Sequence, residues 1–171
     1  MGLRYNLEKA AGMINGLDAG EVKDFLGICR TIQLAEGALQ EKAAPILLKC
    51  MKKCRGLCCR NIQPDNIITL WDFIYILALE PDLKKQMARC IEKQSLFTAD
   101  CIFLRDGKGP CLFPSDLRPE RCIISFCSVE GTIGKEIGMV NTAFNRLVRF
   151  FMFRPVRSLC RFIKRLRERS C

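Results

Sequence analysis

The chain contains no histidine. That absence excludes Ser-His-Asp and Cys-His nucleophile systems. It also excludes zinc sites of mixed cysteine and histidine ligands built within one chain. Long hydrophobic runs are also missing. The best candidate, from Ile67 to Leu79, spans thirteen residues and includes Asp72, whereas a bilayer crossing needs about 20; it is expected to be a central core helix. No apolar run precedes the first charges in MGLRYNLEKAAGMINGLDAGE, so no secretory leader is expected there. GTIGKE, residues 131–136, is not a phosphate loop: Val129 stands where the first Walker glycine belongs, and Glu136 where a Ser or Thr belongs. The carboxylates form no recognisable metal constellation, and no single thiol is set apart as a nucleophile. A non-enzyme is therefore expected. There is no internal repeat and no low-complexity tract.

What the chain does have is charge in one place. Its 171 residues carry a formal +10. From Phe144 onward, nine basic side chains face one acid, Glu168, a net of +8 that leaves +2 for the first 143 residues. This is a nearly neutral body with a cationic arm. About half of the residues are apolar, enough for a core.

Apolar spacing of three and four predicts the elements of the body. Leu3, Leu7, Ala10, Ala11, Ile14 and Leu17 mark a first helix ending around Gly16 to Gly20. Val22, Phe25, Leu26, Cys29 and Ile32 mark a second, capped by Asp18 with Glu21 in the capping-box position. Pro45 is expected to open a third. Asp65 or Asn66 is expected to cap the apolar helix that follows NIQPDN, and Pro81 to start another. Beyond Gln94 the pattern changes. CIFLRDGKGPCLF, residues 101–113, reads as a β-hairpin around RDGKG, and RCIISFCSV, residues 121–129, as a strand. The glycines of residues 130–138 read as a loop or hinge. The expected fold is mostly α, or α+β overall: a helical interaction domain at 1–95, a small Cys-rich β element at 96–136, and a basic amphipathic arm at 137–171, kinked at Pro155 into halves near 139–153 and 156–169.

On a helical wheel, Phe144, Leu147, Val148, Phe151, Met152, Val156, Leu159, Phe162, Ile163 and Leu166 occupy about half of the circle. Arg146, Arg149, Arg154, Arg157, Arg161, Lys164, Arg165 and Arg167 occupy the other half, together with Phe150 and Phe153. Such a helix suits an anionic membrane surface, with apolar side chains at the acyl boundary and arginines on headgroups. It suits a partner protein equally. The residues expected to bind are Arg146, Arg149, Phe151, Arg154, Arg157, Leu159, Arg161, Phe162, Lys164, Arg165 and Arg167. Cys160 and Cys171 are candidate acylation sites; Gly2 fits myristoylation poorly because Asn6 replaces the Ser or Thr of that motif. The competing readings are an arm packed on its own bundle, and nucleic-acid binding by the same arginines.

Twelve cysteines with no leader point to reduced thiols in a cytosol-like compartment. Cys50, Cys54 and Cys58 share a helix face beside Cys59, among basic residues that favour thiolates. Cys101, Cys111, Cys122 and Cys127 are candidate ligands of a structural four-cysteine zinc site, although no CxxC knuckle is present. The plain alternative is small buried hydrophobes. Taken together, the sequence leads us to expect a non-catalytic, intracellular accessory or regulatory protein. It would be cytoplasmic and peripherally membrane-associated, or nuclear if the arm binds nucleic acid. Small size, many thiols and concentrated charge are compatible with a viral or pathogen effector.

Overall fold

A computed structural model of the chain describes residues 2–54, 62–93, 100–105, 110–125 and 133–154. These residues form six α-helices and one 3-10 turn: α1 (Leu3–Asn15), α2 (Ala19–Cys54), the turn Pro64–Asn66, α3 (Leu70–Leu79), α4 (Leu83–Glu92), α5 (Glu120–Ile124) and α6 (Gly134–Met152). α3 lies at the centre and packs against α1, α2, α4 and α6, while α6 runs along α2. Phe73, Ile74, Tyr75 and Ile76 of α3 are fully buried, as a helix apolar all round requires. One contiguous core joins Leu3, Leu7, Phe25, Ile32, Met87 and Leu147 to it. Among the described residues no helix is long and apolar enough to cross a membrane.

The local chemistry explains most boundaries. Asp18 and Glu21 form the expected capping box, with Glu21 N donating to Asp18 Oδ1 at 2.8 Å and Asp18 N to Glu21 Oε2 at 3.2 Å. α3 is capped instead by Thr69, whose hydroxyl accepts from Trp71 N and Asp72 N while Asp72 Oδ2 accepts from Thr69 N at 2.7 Å. Asp65, expected in that role, accepts from Leu3 N at 3.2 Å and so serves the start of α1. Pro45 opens no helix. It sits inside α2, which runs on for 36 residues. Pro45 and Glu41, the residue whose carbonyl loses its i+4 donor, are both exposed, so water can take the missing bond.

The expected β element is not present: among the described residues there is no strand. Leu104 and Cys111 form a single antiparallel bridge, flanked by Leu112 N to Phe103 O at 2.7 Å and Arg105 N to Pro110 O at 3.1 Å. A turn closed by Leu104 N on Cys101 O stops the pairing on one side, and Pro114, which has no N–H, follows on the other. The segment is held by packing, with the Phe103 and Phe113 rings 4.9 Å apart and both buried. Of the strand expected at 121–129, residues 121–124 belong instead to helix α5, because Pro119 stands at the N-cap position and buried Asp72 Oδ1 accepts from Glu120 N at 2.7 Å; residues 126–129 lie outside the described residues. Gly134 and Gly138, expected in a hinge, lie within α6. The expected kink at Pro155 falls outside the described residues.

Candidate functional site

α6 has two faces, and they divide differently from the sequence wheel. Val140, Ala143, Phe144, Leu147, Phe150 and Phe151 are buried. Phe150, expected among the arginines, is 4% exposed and stacks on Phe25 with centroids 6.0 Å apart. Phe151, expected to bind lipid or partner, lies in the core edge-on to Phe25 at 5.6 Å and 6.2 Å from Trp71. The buried arc widens because α6 contacts α2, α3 and α5, so it is pressed from more than one direction. Met152, expected on the apolar side, is 66% exposed instead, beside Phe153 at 59%.

The outward face of α6 therefore carries Lys135, Met139, Arg146, Arg149, Met152 and Phe153, all exposed. Arg154, just beyond the helix, is engaged by an acid. Its Nε lies 3.1 Å from Glu21 Oε2, and its guanidinium also donates to Gly16 O. Arg154 thus ties the end of α6 to the α1–α2 corner. Arg157, Leu159, Cys160, Arg161, Phe162, Lys164, Arg165, Arg167 and Cys171 lie outside the described residues.

Beside the N-terminal part of α6, a groove of about 540 Å³ opens between it and α2. Thr31, Leu34 and Ala35 form one wall, and Lys135, Gly138, Met139, Thr142 and Arg146 the other. Leu34 is 75% exposed.

A polar junction with a buried centre lies on a different face of α2. Gln33, Glu36 and Gln40, spaced three and four apart, hold the segment 115–118. Gln33 Nε2 donates to Asp116 Oδ2 at 2.9 Å and Gln40 Nε2 to Ser115 O. Glu36 Oε2 accepts from the Tyr75 hydroxyl at 3.2 Å and from Arg118 N at 3.3 Å. Burial lifts the Glu36 carboxyl from its ordinary 4.5 to about 8 despite these two donors, with Asp72 and Asp116 adding to the rise. Burial thus favours the neutral carboxyl form of Glu36. Burial also raises Tyr75 and Asp72, whose donors pull it back only in part. Among the described residues, Glu36 Oε1 and Arg118 Nε have no hydrogen-bond partner. The sequence pattern held one signal for this ridge, its i, i+3, i+7 polar spacing inside an otherwise apolar stretch, and the wheel of apolar positions alone misses it.

The cysteines do not build the expected zinc site. Among the described residues no group of three or more Cys, Asp or Glu side chains is placed to hold a metal ion. Cys101 and Cys111 are half-buried near one another, but Cys122 is exposed on α5 while its neighbour Ile123 enters the core. Cys127 lies outside the described residues, as do the side chains of Cys50, Cys54, Cys58 and Cys59. Cys29 is fully buried, and burial pushes its thiol up to about 12, the behaviour of a small hydrophobe rather than a nucleophile. Comparison of the chain with family models, with curated proteins and with solved structures returns no match.

Proposed function

We propose that this chain is a non-catalytic intracellular accessory protein that sits on anionic membrane surfaces through the C-terminal end of α6 and the basic segment after it. The observation that carries this reading is the pairing, at the end of α6, of two exposed apolar side chains, Met152 and Phe153, with exposed Arg149. The next residues in the sequence add Arg157, Arg161, Lys164, Arg165, Arg167 and Arg169 against Glu168 alone. Apolar side chains that enter the acyl boundary beside cations that meet headgroups are what peripheral binding needs, at about 1 kcal/mol for each cation near a charged leaflet. Cys160 and Cys171 are placed in sequence to add an acyl chain. Stacking on nucleic-acid bases is less well supported, because Phe144, Phe150 and Phe151 are buried in the core and only Phe153 stands exposed among the described arm residues.

Flotation with vesicles containing phosphatidylserine tests this. The full chain should float with anionic vesicles and not with neutral ones. Loss of residues 155–171, or Arg149→Glu with Phe153→Asp, should abolish flotation while helicity is kept. Flotation that ignores vesicle charge or these changes would remove the reading.

A further inference from the structure

We propose that the groove between α2 and α6 is a docking site for an acidic amphipathic helix of another protein. The site is separate from the membrane-facing end of α6 and does not depend on it. Three features of the groove point the same way. Its walls expose apolar side chains that the fold leaves uncovered, Leu34 at 75% and Met139 at 45%. Its charge is of one sign: Lys135 and Arg146 flank it, both exposed, and no acid lines it. Its α6 wall is open at Gly138. A Cβ built there meets nothing within 4 Å, although glycine inside a helix costs about 1 kcal/mol relative to alanine. Other helical glycines, Gly12, Gly27, Gly37 and Gly134, have the same open space; at Gly138 that space lies within the groove, where a second helix can approach closely.

Charge selects among occupants. The chain's own segment 155–171 carries six basic residues against Glu168, so Lys135 and Arg146 repel it. A second copy brings another +10 and the same basic rim. An acidic helix is attracted by both cations, which stand eleven positions apart on α6, about 16 Å at 1.5 Å per residue. The groove thus fits a helix of about three turns with carboxylates near both ends and leucine-sized side chains at i, i+3/i+4 and i+7.

Fluorescence anisotropy on the full chain tests the proposal with a labelled peptide of about 18 residues, leucine on one face and glutamate on the flanks, beside an isomer with lysine at every glutamate position. The glutamate peptide should bind and the lysine isomer should not. Gly138→Leu, whose Cβ meets nothing within 4 Å, should fill part of the groove, keep or raise the thermal midpoint because it removes a helical glycine, and weaken binding by about tenfold or more. Lys135→Glu with Arg146→Glu should reverse the preference between the two peptides. The proposal is overturned if the two peptides bind alike or not at all, or if Gly138→Leu leaves the affinity unchanged. It is equally overturned if sedimentation shows a dimer that Gly138→Leu dissociates, since the occupant is then a second copy.

Discussion

At the scale of single residues, the decisive feature is a carboxyl group that keeps its proton. Glu36 is fully buried with a folded-state value of about 8 against an ordinary 4.5. Between those values the folded protein holds a proton that the unfolded chain has released, so stability from this group is fully present below about pH 4.5 and is lost as pH rises through about 8. The slope is about 1.4 kcal/mol per pH unit. Glu120, also raised by burial, acts in the same direction. Urea midpoints should therefore fall between about pH 5 and about pH 8.5, and Glu36→Gln should flatten that dependence and be the more stable form at the alkaline end. Equal slopes for both proteins would show that Glu36 does not hold the excess proton. Such a shift is invisible in the sequence, where Glu36 is one of several acids on a long helix and nothing reports that Tyr75 and Arg118 will enclose it.

At the scale of elements, helix starts follow from residue chemistry wherever the capping groups are adjacent in sequence, and fail where the partner comes from elsewhere. The Asp18–Glu21 box is legible because its donors and acceptors lie three residues apart. Asp65 departs from its expected role because its acceptor oxygen reaches back to Leu3, 62 residues away. Asp72 has both kinds of partner. It closes the α3 box with Thr69 and also accepts from Glu120 N at the head of α5. Thr69→Ala should cost about 1 kcal/mol, whereas Asp72→Ala, which strands three part-buried donors, the Thr69 N–H and hydroxyl and the Glu120 N–H, should cost about 3 kcal/mol. Chemical denaturation of both variants checks the order. The same long-range bond explains why residues 120–124 are helix. A short apolar run such as CII fits strand and helix equally, and the tie is broken by a carboxylate from α3.

At the scale of the whole molecule, α6 is both part of the core and the base of the arm. Phe150→Ala should cost about 3–5 kcal/mol, much more than expected for an exposed arm residue, and a denaturant midpoint measures it. Trp71, the single tryptophan, lies 6.2 Å from Phe151, so its fluorescence reports the seating of α6. Because one contiguous core joins α1, α2, α3 and α6, Trp71 fluorescence and helical circular dichroism should change in one coincident transition. Two separated transitions would mean that α6 folds independently. The segregation of charge toward the C-terminus, the exclusion of histidine chemistry, the first helix and the identity of the central apolar helix were all determined by the sequence itself, since each depends on neighbours within a few positions or on composition. Which phenylalanines are buried, that α2 continues through Pro45, that the 101–113 segment makes one bridge rather than a hairpin, and that Glu36 is sealed against Tyr75 were decided only by the tertiary structure. In each case the deciding contact joins residues distant in the chain, and only packing places them together.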